Sequence, residues 1–193
     1  MYHQCSGKHI GLIYSSRQSN HSIENYMSAT HPINKKFFAK IKELSQEDPI
    51  IGIDGCLNAT PGLSYKAFLN LCQTTLDNPS KKMQNCFELW QRNPRLVGGI
   101  NRLDSDISED LGGEFLAKEG ADGLLLILHP KRKLTILTKL YHGGKKEWLT
   151  LALWSALKRL DSKDEALVKL KNYLTLKVRD CLKENQELSI VQE

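Results

Sequence analysis

Long apolar runs are what this sequence most clearly lacks. No stretch of its 193 residues approaches the roughly 18 consecutive apolar residues that a bilayer-spanning helix needs, so a helical membrane protein is excluded. The chain also opens without a charged-then-apolar secretory leader. Cysteine is sparse and odd in number. The five cysteines, at 5, 56, 72, 86 and 181, are widely scattered, which suits a reducing cytoplasm better than a disulfide framework. Aromatic residues make up only 7% and do not alternate with basic ones, so the stacking stripe of a single-strand nucleic-acid binder is missing. Internal repeats and low-complexity segments are absent too.

What remains is a soluble composition, 40% hydrophobic and 25% charged, at a length that suits one domain with a small appendage. The expected boundary separates a domain of residues 1–162 from a C-terminal helix and tail, 163–193. The net charge of +5 is uneven: residues 1–130 hold 13 basic and 14 acidic side chains, and residues 131–193 hold 14 and 8. Basic excess in helical patterns is ordinarily a solvated face, so neither a nucleic acid nor a membrane is expected as partner.

Apolar spacing predicts helices over 6–16, 33–45, 64–76, 81–92, 105–112, 146–160 and 163–184, with a helical turn at 21–29, a short helix at 114–117 and frayed last nine residues. His31-Pro32 reads as an extended dipeptide, because proline disfavours the helical region in the residue before it. Ile50–Ile53 reads as a short strand and Thr60-Pro61-Gly62 as a turn, while Leu96–Gly99 reads as extended. The strongest β signal is a hairpin of 123–128 and 134–141 around the polar turn His129–Lys133. The fold class expected is mixed α/β, with helices packed on a mainly antiparallel sheet.

Four pieces can carry chemistry. Cys5-Ser6-Gly7-Lys8-His9 opens a helix and puts Cys5 and Lys8 on one face, where free backbone N–H groups favour a thiolate. An extended Asp54-Gly55-Cys56 would aim Asp54 and Cys56 the same way at a strand end. Gly98-Gly99 is followed by Arg102 and Asp104, and Lys118-Glu119-Gly120-Ala121-Asp122-Gly123 leads into a buried strand. Two thiolates and a neutral amine can bind zinc with water as fourth ligand. A pair of buried thiols near a lysine accounts for the same residues. A desolvated lysine can serve as a base.

In this order and spacing, Cys5–His9, His31-Pro32, Asp54–Cys56 with Thr60-Pro61, Asn93-Pro94 with Val97–Gly99, and Lys118–Gly123 resemble the rhizobial-type L-asparaginase II family. The resemblance implies hydrolysis of L-asparagine to L-aspartate and ammonia on part of a serine β-lactamase-like fold. It implies a metal cluster of Cys5, Lys8 and Cys56, zinc where a metal is seen. It implies an active-site carboxylate at Asp54, substrate contacts from Asp54, Lys8 and His9, and at Lys118 the lysine that takes a serine's proton.

The family's nucleophile is the serine of a Ser-x-x-Lys motif upstream of the position that matches Cys5. The expectation is therefore a truncated or split chain, inactive alone, with an N-terminal partner chain or a homo-oligomer covering exposed core. The Ser-x-x-Lys present here, Ser155-Ala156-Leu157-Lys158, lies late in an amphipathic helix. Asp104 departs from the family, which carries a cysteine near that position. The alternative function is a non-enzymatic metal- or ligand-binding module built on Cys5, Lys8 and Cys56.

Overall fold

Helix α1 (Gln4–Gln18) carries the Cys5–His9 motif on its first turns, as the polar opening predicts. A computed structural model describes residues 4–190 and divides the chain into two units, Met1–Met83 and Gln84–Glu193.

In the first unit, α1 leads through turns over 21–29 to helix α2 (Pro32–Ser45). His31 is extended, at ψ 137°, and caps α2: its Nδ1 accepts from the Ile33 N–H at 3.2 Å. The fully buried Asn34 fastens the preceding turns by donating to the Tyr26 and Ser28 carbonyls, both at 2.8 Å. Strands β1 (Ile50–Ile53) and β2 (Ala59–Gly62) form an antiparallel hairpin with Ile50 opposite Gly62 and Ile53 opposite Ala59. Residues 60–62, expected as a turn, thus belong to a strand. Pro61 is tolerated because β2 has a neighbour on one side only, so no second ladder is lost. Helix α3 (Tyr65–Asp77) starts at Ser64, whose hydroxyl accepts from Ala67 N–H and donates to Glu47. It packs on α2 and buries Ala67, Cys72 and Leu76.

The division between units falls within helix α4 (Lys81–Arg92). In the second unit Pro94 opens a single helical turn, α5 (Pro94–Val97), where an extended piece is expected. Proline at the first helical position forfeits no bond, since that N–H has no partner in any helix. Helix α6 (Leu103–Asp110) follows. Residues 116–120 then form strand β3 (Leu116–Gly120), not the short helix predicted at 114–117. The run Phe115-Leu116-Ala117 is buried on every side, and such a run has no period to tell strand from helix.

Strands β4 (Leu124–His129) and β5 (Leu134–Lys139) make the predicted hairpin around a 3-10 turn at Pro130–Arg132, and β3 pairs with β4 to complete an antiparallel sheet ordered β3-β4-β5. Helices α7 (Lys146–Leu160) and α8 (Glu165–Ile190) pack on one another. Leu103, Ile107, Phe115, Leu125 and Ile127 share one core with Leu149, Leu153, Leu170 and Leu174, so α8 is part of this unit's interior. Fraying was expected of the last nine residues; α8 continues to Ile190, and 191–193 lie outside the described residues. The whole is a mixed α/β chain with antiparallel sheets. Among the described residues no helix is long and apolar enough to cross a membrane.

His129 gives the second unit a pH dependence. It is 6% exposed, meets Phe115 edge to face at 4.8 Å between ring centres, and accepts the Arg132 N–H at Nδ1. Burial pushes its pKa below the ordinary 6.5 and outweighs the opposing pull of its own backbone hydrogen bond and of Glu114 and Asp164; the Arg132 charge adds to the lowering. The unfolded chain therefore takes up the proton first as pH falls. Stability is complete above about pH 6.5 and declines from there towards the lower folded value. Urea unfolding between pH 7.5 and 5 should show this decline, and His129→Gln should flatten it. An unchanged slope in that variant would refute the assignment.

Candidate functional site

The first two motifs meet in the first unit. Cys5, on the opening turn of α1, is joined by a disulfide to Cys56, 51 residues on, with 6.8 Å between their Cα atoms. One turn further along α1, Lys8 Nζ forms an ion pair with Asp54 Oδ2, as the shared helical face of Cys5 and Lys8 leads one to expect. Asp54 itself does not sit in an extended segment. Its Oδ1 accepts the N–H groups of Cys56 at 2.8 Å and Asn58 at 3.1 Å, and the Leu57 N–H reaches its carbonyl at 2.9 Å. The expectation of a strand through 54–56 is thus corrected to a turn. The short carboxylate side chain offers the backbone a local partner that competes with the ladder. Burial pushes the Asp54 pKa up, but the Lys8 hydrogen bond, the two backbone donors and the Lys8 charge together hold it below the usual carboxylate range.

His9 shares a 3.0 Å hydrogen bond with the Tyr26 hydroxyl, their rings edge to face. Beside the cluster lies a mainly apolar cleft of about 640 Å³, whose lining includes Lys8, Leu12, Phe37, Asn58, Pro61 and Phe68. Tyr26 and Asn58 were not legible as site residues, since neither stands in a pattern that marks it.

The third and fourth pieces meet in the second unit. Lys118, on β3, donates to Asp104 Oδ2 at 3.0 Å and to the Glu119 carbonyl at 2.7 Å. Asp104 is completely buried on the first turn of α6. It also accepts the N–H groups of Ser105 and Glu119, both at 2.8 Å. The Glu119 carboxylate takes the Leu103 N–H at 2.7 Å and pairs with Arg102 at 2.6 Å, so it caps the start of α6. Gly98 makes room for this network: a β-carbon there would lie inside the van der Waals shells of Ser105 Oγ and the Asp104 carboxylate.

The family model for L-asparaginase II matches residues 1–188. The chain belongs to the L-asparaginase II family. No curated protein sequence matches it. Of the motifs that carry the resemblance, the fold joins Cys5–His9 to Asp54–Cys56 in one unit; in the other, Lys118 meets Asp104, the position that departs from the family.

The metal role implied for Cys5, Lys8 and Cys56 in this L-asparaginase II family chain does not fit the observed donor set. The two sulfurs are bonded to each other and the Lys8 amine donates to Asp54, so none of the three offers a lone pair at a common point. Among the described residues no three His, Cys, Asp or Glu side chains converge as ligands elsewhere. Ser155-x-x-Lys158 lies on α7, and the Lys158 ammonium stands over the Trp154 ring at 5.0 Å from its centre.

Proposed function

We propose that this chain supplies the substrate-binding and proton-handling side chains of an L-asparagine amidohydrolase, acting on L-asparagine and water to give L-aspartate and ammonia. The observation that supports it best is the pairing of Lys8 with Asp54. Two family motifs 46 residues apart thereby present a cation and a carboxylate side by side, at the edge of a cleft. A free amino acid needs such a pair, a carboxylate for its ammonium and a cation for its own carboxylate. His9, held by Tyr26, is a third polar contact in this reading. In the second unit Lys118 is the candidate for the proton-handling group that the resemblance implies; its ammonium donates to Asp104 and to the Glu119 carbonyl, so it must give up a proton before it can take the nucleophile's. No step of this reading runs through a metal; zinc on Cys5, Lys8 and Cys56 would first require reduction of their disulfide.

The attacking hydroxyl comes from outside residues 1–193 in this reading. Ser155-x-x-Lys158 lies late in the chain on α7, where Lys158 stands over the Trp154 ring, and not upstream of Cys5 as the family's motif does. The purified 193-residue chain should release no ammonia from L-asparagine above the buffer rate. A polypeptide bearing the family's Ser-x-x-Lys segment should restore turnover on mixing, and Asp54→Asn should abolish the restored rate. Steady ammonia release by the chain alone would place the nucleophile within it and refute the split arrangement.

A further inference from the structure

We infer that the cleft of the first unit is a binding site for a free α-amino acid with a large apolar side chain. Small residues on α1 open the cleft. Gly7, Gly11 and Ser15 recur every fourth position and so share one helix face, and a β-carbon at Gly7 or Gly11 would meet nothing within 4 Å. Most of the remaining lining is apolar, with Ile33, Phe37 and Ile41 from α2 and Phe68 and Leu71 from α3. Three polar groups of this lining have work left to do. Asn34 is wholly buried and Asn58 is 4% exposed. The Asn34 Nδ2 donates to the Tyr26 and Ser28 carbonyls and the Asn58 Nδ2 to the Ala59 carbonyl, yet neither Oδ1 accepts a hydrogen bond among the described residues. The Ala59 N–H takes the Met27 carbonyl between those of Tyr26 and Ser28, so both amides stand at one turn. Lys36, on α2, is an exposed cation of the lining that makes no ion pair among the described residues.

These features select one ligand chemistry. Buried acceptors are ordinarily satisfied, and an ammonium brings several N–H donors to one point. A carboxylate complements the charge of Lys36. A large apolar side chain covers the wall of the cleft and removes it from water. A free α-amino acid carries all three groups on one carbon, whereas an apolar acid leaves the two oxygens bare and an apolar amine leaves Lys36 unpaired. L-Asparagine has no apolar side chain to cover the wall, so the site is an addition to the proposed hydrolysis and does not depend on it.

The test is isothermal titration of the full chain with L-phenylalanine and with two analogues that each lack one group, hydrocinnamate without the ammonium and phenethylamine without the carboxylate. L-Phenylalanine should bind, and each analogue should bind about tenfold more weakly or worse, because each forfeits charge-assisted contacts. Lys36→Met should bring L-phenylalanine down to the level of phenethylamine and leave phenethylamine unchanged. Lys35→Met, one position away and outside the lining, should bind as the unaltered chain does. Gly11→Leu should abolish binding while the helical circular dichroism is kept, since leucine fills the open space and suits a helix better than glycine. Three results would each overturn the inference: no binding of L-phenylalanine, equal binding of hydrocinnamate, or binding untouched by Gly11→Leu. A dimer in sedimentation that Gly11→Leu turns into a monomer would do so as well, since the cleft would then hold a second copy of the chain.

Discussion

Replacing Asp104 by alanine should cost the second unit about 3–5 kcal/mol, the range for breaking a buried ion pair from one side. Asp104 is wholly shielded from water, and its two oxygens serve three donors: the Lys118 ammonium and the N–H groups of Ser105 and Glu119. Alanine strands the two backbone donors and leaves the Lys118 ammonium only the Glu119 carbonyl. The two backbone donors then lose their partner inside the protein, where each unmade bond costs about 1–3 kcal/mol. Asparagine keeps one acceptor oxygen but turns an NH2 towards a donor, so Asp104→Asn should fall between the two. Lys118→Met should cost less than Asp104→Ala, because the carboxylate keeps its backbone donors. The double variant should be less damaging than the sum, since removing both charges leaves neither one unpaired. Urea unfolding of the four proteins gives these values. A loss under 1 kcal/mol for Asp104→Ala would show that the carboxylate carries no such burden. Gly98→Ala tests the same pocket from the other side, because its methyl group has no space beside Asp104.

The parts of this architecture that could be read from the sequence are those where one local rule acts alone. The β4–β5 hairpin was legible because two apolar runs flank a polar turn, and it forms with Leu124 opposite Lys139 and His129 opposite Leu134. The His31-Pro32 entry to α2 was legible because proline restricts its neighbour whatever the tertiary setting. Strand β3 was not, because burial on all sides removes the polar positions that reveal a period. Nor was the turn at Asp54, where a carboxylate captures two N–H groups that a strand would have used. The cysteines show the same boundary. Five scattered residues of that type gave no sign that positions 5 and 56 would be bonded, since spacing along a chain does not report distance across a fold. Family resemblance names the candidate residues together, whereas the fold sorts them into two local networks with different chemistry. One pairs Lys8 with Asp54 beside a disulfide, and the other buries Asp104 under Lys118.

Phe115→Ala should destabilise the second unit by about 3–5 kcal/mol, the range for deleting a large aromatic from a core. Phe115 has no exposed surface and packs in the cluster that joins α6, β3, β4, α7 and α8, so no single element can move in to fill the space. The substitution has a second readout that an ordinary cavity would not produce. Phe115 is the ring against which His129 is packed, and burial is the leading reason the His129 pKa lies below 6.5. Opening that side admits water, so the histidine should titrate closer to its ordinary value and the acid-induced loss of stability below about pH 6.5 should shrink. The variant should thus be less stable at neutral pH yet less sensitive to acid down to pH 5. Phe115→Leu, which keeps most of the volume, should lose less stability and retain more of the pH slope. If Phe115→Ala kept the full slope while losing the stability, the lowering at His129 would have to come from the Arg132 charge and not from the ring that covers it.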